Sequence, residues 1–275
     1  MPELPEVECV RRTLTPRILG RTIAGARVRL AKMARPGPEA LAAGLGGKTV
    51  RATSRRGKLL LVELDQEDFL AIHLGMTGQL ILAASRPAVP HIHLEITFTD
   101  GGDTLFFRDV RQFGFMAYCP DQAALAAGPM ANLGPDALGL EPGVLAERLA
   151  GKGGRLKNLL LDQRILAGVG NIYADECLHR AGLSPLARPR DHAPEDLCRL
   201  GACLQETLHE ALAQGGSSVR NFVDAEGRPG TFQEAHRVYQ RGGQPCPMCG
   251  ESIHRIVLAG RSTHYCPRCQ PGGEE

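Results

Sequence analysis

The sequence predicts an α+β protein of two domains. The first is a β-sandwich with a terminal helix, and the second is a helical domain that ends in a small cysteine hairpin. Three observations carry this prediction. Short alternating apolar runs, broken by Gly and Pro, fill residues 22–118; leucines at helical spacing dominate after residue 136; and four cysteines cluster in the last 35 residues. The expected boundaries are 2–128 for the sandwich, 136–232 for the helical domain and 237–270 for the hairpin.

Each element has a local reason. Pro2 and Pro5 can occupy a first helical turn, Glu3, Glu6 and Glu8 favour a helix N-terminus, and Arg11, Arg12 and Arg17 follow, so residues 2–18 are expected to be helical. Ile92, Leu94, Ile96 and Phe98 alternate with His93, Glu95 and Thr97, the period of a half-buried strand. Further strands are expected at 59–64, 69–74, 80–82 and 104–107; several short strands at this spacing suggest a sandwich or barrel. Residues 126–136 read as a linker. Leu156, Leu159 and Leu160 begin the helical texture. Pro194 opens a helix with Leu197, Leu200, Leu204, Leu208 and Leu212 on one face, and Gly215-Gly216 ends it. The glycine-rich stretch 215–232 is aperiodic and is expected to be a mobile loop.

Composition limits the possible functions. At 275 residues and 43% hydrophobic content the chain can bury a sizeable core. No apolar run reaches the roughly 18 residues of a membrane helix, and the start is unlike a signal peptide, so a cytoplasmic location with no membrane contact is expected. The net charge of +2 excludes an overtly polycationic binder. Only five of the 32 basic residues are lysines (Lys32, Lys48, Lys58, Lys152 and Lys157); the rest are arginines, suited to bidentate phosphate contact.

Nine cysteines in such a chain argue against a disulfide framework. Cys9, Cys119, Cys177, Cys198 and Cys203 are scattered and expected to be small buried hydrophobes. Cys246-Pro-Met-Cys249 and Cys266-Pro-Arg-Cys269, sixteen residues apart, form a paired Cys-x-x-Cys pattern. Four thiolates without an open position make a closed, structural zinc site; unligated cysteines or a redox pair are the competing readings. Zinc with four thiolates subtracts two charges, which brings the total to zero, so nucleic-acid binding would need a local patch. Residues 236–269 supply one: Arg237, Arg241, Arg255, Arg261 and Arg268 against Glu251, with Arg261 near the expected turn.

The start Met1-Pro2-Glu3-Leu4-Pro5-Glu6 is unusual. Removal of the initiator would leave Pro2 with a free secondary amine. An α-amino group has a pKa near about 8, against about 10.4 for Lys, so roughly 10% is unprotonated at pH 7. Such an amine can form a Schiff base with a sugar aldehyde carbon, and Glu3 beside it can supply a proton. A plain helix start is the competing reading of these six residues.

Six segments occur together and in order: MPELPEVE at 1–8, RRGKLLL at 55–61, HLGMTG at 73–78, RDVRQFG at 108–114, GVGNIYADE at 168–176 and GRSTHYCPRCQ at 260–270. In these the chain resembles the formamidopyrimidine-DNA glycosylases, bacterial 8-oxoguanine repair enzymes, from residue 2 to about 270. The resemblance implies a bifunctional glycosylase and abasic-site lyase acting on duplex DNA that holds an oxidised purine. It implies one structural zinc, no organic cofactor, a monomer, and DNA running between the domains. Pro2 would attack C1′, Glu3 would act as the acid and Lys58 would hold a phosphate and assist strand cleavage. Met76, Arg111 and Phe113 would fill the gap left by the extruded base. Asn171, in a helix–two-turns–helix motif, together with Lys157 and Arg261, would contact phosphates. The loop 216–226 would lie where the flipped base is read, with no individual role for Ser217, Ser218 or Arg220. His73 is expected to pack near the active strand. Two alternatives are an endonuclease VIII-like enzyme for oxidised pyrimidines and a DNA-binding homologue that has lost catalysis. Leu4, Arg111 and Phe113 favour the purine enzyme; Pro2, Glu3 and Lys58 argue against lost catalysis.

Overall fold

A computed structural model describes residues 2–219 and 222–273; Met1 and Arg220 lie outside the described residues. The chain divides into two units. The first holds residues 1–132 and 215–231, and the second holds 133–214 and 232–275.

The first unit contains α1 (Leu4–Ile18), β1 (Ile23–Val28), β2 (Ala34–Arg35), α2 (Pro38–Leu45), β3 (Val50–Arg56), β4 (Leu59–Leu64), β5 (Phe69–His73), β6 (Gly78–Ala83), β7 (Ile92–Phe98), β8 (Thr104–Asp109), β9 (Phe115–Cys119) and α3 (Gln122–Ala127). One sheet has the order β1-β7-β8-β6 and the other β2-β9-β5-β4-β3. Alternation puts Leu94, Ile96, Leu105 and Phe107 of the first sheet in one core with Leu60, Val62, Ile72 and Met116 of the second. Val7, Val10, Leu14 and Ile18 of α1 join the same core, so the helix that starts beside Pro2 is anchored by the sandwich interior.

Strands β4 and β7 occupy the expected residues, 59–64 and 92–98. Two short helices were not anticipated. Helix α2 buries Leu41 and Leu45 within the β-rich stretch, and α3 takes up the start of the expected linker. The stretch 215–231 groups with the first unit. Its described residues have little regular structure but are tied down: Ser217 N–H donates to Glu6 Oε1 at 2.7 Å, Ala225 N–H donates to Thr13 Oγ1 at 3.1 Å, and Ala225 enters the sandwich core.

The second unit contains α4 (Pro142–Leu149), α5 (Leu156–Leu161), α6 (Asn171–Ala181), α7 (Pro194–Ala213), β10 (His254–Leu258) and β11 (Arg261–Tyr265). The five leucines on the expected face of α7 are all buried. Strands β10 and β11 form an antiparallel hairpin with Leu258 opposite Arg261. Its two-residue turn, Ala259-Gly260, has positive φ at both positions (49° and 75°), the conformation that matches the twist of a hairpin. No helix among the described residues is long and apolar enough to cross a membrane.

Candidate active site and nucleic-acid interface

Glu3 caps α1. Its side chain accepts from the Glu6 backbone N–H while Glu6 Oε2 accepts from the Glu3 N–H at 2.8 Å, a reciprocal capping box. Glu3 is only 1% exposed and Pro2 is buried beside it. The second oxygen of Glu6 holds Ser217 N–H, so one carboxylate fixes both the start of α1 and the backbone at Ser217. Gly216 sits at φ 81°, and a Cβ there would stand 2.7 Å from Glu6 Oε1. Only glycine fits that approach.

Lys58 lies in the two-residue turn between β3 and β4, after Gly57 at φ 58°. A chain of charges connects this turn to α1. Glu8 is buried and accepts from Arg11 (2.8 and 2.9 Å) and Arg12 (2.9 Å), and Arg55 Nε pairs with it at 3.4 Å. Arg55 Nη1 also donates to the Gly57 carbonyl at 2.8 Å. Burial pushes the Glu8 carboxyl up, but the hydrogen bonds from Arg11 and Arg12 and the charges of Arg11 and Arg55 outweigh it and hold the group below its usual value. His73 pairs with Leu59 on the neighbouring strand and stacks on Phe115. Burial, then the charges of Lys58 and Arg35, push His73 down to about 4, so its ring is neutral near pH 7 and Nδ1 accepts from Gly75 N–H at 3.0 Å.

Met76 and the pair Arg111 and Phe113 come from two loops that touch backbone to backbone. A Cβ on Gly75, at φ 61°, would meet Gly114 N at 2.5 Å. Asp109 locks the loops and escaped sequence reasoning, although it stands inside RDVRQFG. This fully buried carboxylate accepts from Thr77 Oγ1 (2.5 Å), Arg111 N–H (3.3 Å) and Gly114 N–H (2.7 Å). Phe113 is 57% exposed, and the Arg111 guanidinium lies 4.9 Å from its ring centre. An exposed aromatic on a rigid loop is suited to insertion between bases.

In the second unit, Arg261 is exposed at the start of β11. Asn171 opens α6, the positive end of its dipole, and its Nδ2 donates to the Ser262 carbonyl at 2.9 Å. The hairpin residue beside Arg261 is thus fixed to the start of α6. Lys157 requires a correction. It is 0% exposed, pairs with the equally buried Asp175 at 2.7 Å, and donates to the Ser262 carbonyl and Thr263 Oγ1, both at 2.8 Å. An ammonium has three N–H directions. Two of these are taken by the hydrogen bonds to Ser262 and Thr263 and the charge is paired with Asp175, so the ammonium faces the hairpin inside the unit and not solvent. Asp175 also accepts from His264 N–H at 3.0 Å. Lys157 and Asp175 therefore hold the hairpin on α5 and α6.

The four clustered cysteines converge. Their sulfurs all lie within 4.8 Å of one another; Cys246 and Cys269 are 3.8 Å apart, and Cys249 and Cys266 are 3.4 Å apart. A tetrahedral zinc with bonds of about 2.3 Å needs sulfur separations of about 3.8 Å. Burial and the neighbouring cysteines push the Cys269 thiol up, a crowding of sulfurs that a bound cation would relieve. The set fits one structural zinc.

Three family descriptions match successive parts of the chain: "Formamidopyrimidine-DNA glycosylase N-terminal domain" over residues 1–116, "Formamidopyrimidine-DNA glycosylase H2TH domain" over 133–223, and "Zinc finger found in FPG and IleRS" over 243–272. A protein from Geobacillus kaustophilus named formamidopyrimidine-DNA glycosylase is 46% identical over 275 residues, covering 98% of this chain and 100% of the relative. A Lactococcus lactis FPG mutant bound to Fapy-dG-containing DNA matches with a TM-score of 0.91 at 35% identity, covering 98% and 100% of the two chains. A MutM complex with DNA containing carbocyclic 8-oxo-G matches with a TM-score of 0.90, also at 35% identity, with the same coverage.

Proposed function

This chain belongs to the formamidopyrimidine-DNA glycosylase family, and on that premise we propose that it excises oxidised purines from duplex DNA and then cleaves the strand at the resulting abasic site. The relatives' names and the lesions in the neighbouring structures, Fapy-dG and an 8-oxo-G analogue, support that substrate class over oxidised pyrimidines.

The observation that carries the reading is the buried Pro2–Glu3 pair, held by the Glu6 carboxylate at the start of α1. A target inside a duplex is out of reach, so the base must be extruded at a cost of a few kcal/mol. Met76, Arg111 and Phe113 fill the space it leaves. The secondary amine of Pro2, freed by initiator removal, attacks C1′ as the base departs. Glu3 protonates the sugar ring oxygen, the ring opens to an iminium, and successive eliminations release the 3′ and then the 5′ phosphate. Lys58 binds a phosphate beside the lesion. Arg261 and Asn171 hold backbone phosphates, and Lys157 with Asp175 positions them.

Borohydride reduction during turnover on 8-oxoguanine duplex tests the assignment. The processed enzyme should be trapped as a covalent adduct, and Pro2→Gly should cut trapping sharply. Undiminished trapping by a form whose N-terminus is blocked, verified by intact mass, would remove Pro2 from the chemistry.

A further inference from the structure

Helix α6 aims three polar side chains at the cysteine module. Asp175 accepts from His264 N–H on β11, and Glu176 accepts from the N–H groups of Arg237 (2.9 Å), Val238 (3.0 Å) and Tyr239 (2.8 Å). The third, His179, one turn further along, is buried, with Nε2 3.4 Å from Cys246 Sγ. Its Nδ1 is buried and has no hydrogen-bond partner among the described residues. Asp175 and Glu176 hold the module's backbone, whereas His179 addresses a metal-ligand atom itself.

The tautomer follows from this geometry. A buried, unpaired N–H is costly, and an unpaired ring lone pair is less so. The single ring proton therefore belongs on Nε2, where a sulfur accepts it, and not on Nδ1, where nothing does. With zinc in place Cys246 is a thiolate, a stronger acceptor than a thiol. A hydrogen bond to a metal thiolate draws charge from sulfur, fixes the ligand's orientation and makes it a poorer nucleophile.

We propose that His179 donates its Nε2–H to the Cys246 thiolate and is a positioning residue for the zinc site, tying the metal to the helix that begins at Asn171. It slows metal loss and shields Cys246 from oxidants. The buried sulfurs are Cys246 and Cys266, so this protection falls on a ligand that solvent cannot itself solvate.

The test uses full-length, metal-loaded protein. His179→Phe keeps a ring of similar volume and removes both nitrogens, while His179→Gln retains an N–H donor. With cobalt(II) in place of zinc, Phe should shift the thiolate-to-metal charge-transfer bands to longer wavelength, and Gln should return them toward the wild-type position. Zinc release to a chromogenic chelator should be about 10-fold faster in the Phe variant and near wild type in the Gln variant. Bands and release rates unchanged in His179→Phe would overturn the proposal. Equal changes in both variants would also overturn it, because packing and not the donor would then be responsible.

Discussion

At the scale of single residues, a lysine's surroundings decide what it can do. Lys157 is one of only five lysines, and the family resemblance implies a phosphate contact for it. The structure gives that ammonium three internal partners and no exposure. Truncating one member of a buried ion pair strands the other and costs about 3–5 kcal/mol. Lys157→Ala should therefore lower the melting temperature clearly and weaken DNA binding, yet leave the salt dependence of whatever binding survives unchanged. A variant of normal stability whose salt slope falls by about one unit would restore Lys157 to the phosphate contacts. The burial was not legible because the partners, Asp175, Ser262 and Thr263, are distant in sequence. Asp109 was missed for the same reason: its role exists only where two loops meet. The cysteine cluster was legible because a paired Cys-x-x-Cys spacing is local.

At the scale of elements, one buried carboxylate joins α1 to the β3–β4 turn. Glu8 gathers Arg11, Arg12 and Arg55, and Arg55 in turn holds the Gly57 carbonyl beside Lys58. The sign of the resulting pH dependence is fixed. The folded-state value lies below the usual 4.5, so the stabilisation is fully present above 4.5 and is lost as pH falls through the depressed value. Glu8→Gln should lower the melting temperature by a constant amount between pH 5 and 7, and that gap should narrow below 4.5. A gap that stays constant to pH 3 in thermal melts would mean that Glu8 is not ionised in the clamp. The strands of this unit were readable where alternation was clean, as at 92–98. Helix α2 was hidden because eight residues between glycines, rich in alanine, carry too few apolar positions to set a period. The 215–231 stretch looked loose because its anchors are backbone N–H groups bonded to Glu6 and Thr13, about 210 residues away, and no residue pattern announces them.

At the scale of the whole molecule, charge constrains how DNA is held. The formal +2 falls to zero once four thiolates bind Zn²⁺, so no net field draws the duplex. Affinity must come from individual phosphate contacts on fixed backbone, and each contact releases counterions that contribute about 0.9 to the slope of log K against log salt. Arg261 is exposed, while its neighbour Ser262 is held by both Lys157 and Asn171, so the backbone beside it is fixed. Arg261→Ala should weaken binding to every duplex alike and lower the slope by about one. Chelating the zinc should lower it further, since the hairpin and the arginines around it lose their scaffold when an apparent ~10–16 kcal/mol of metal binding is withdrawn. Titrations between 50 and 200 mM salt measure both effects. If metal-free protein kept the native slope, the contacts would lie outside the cysteine module, and the basic residues between 236 and 269 would be ordinary solvated surface.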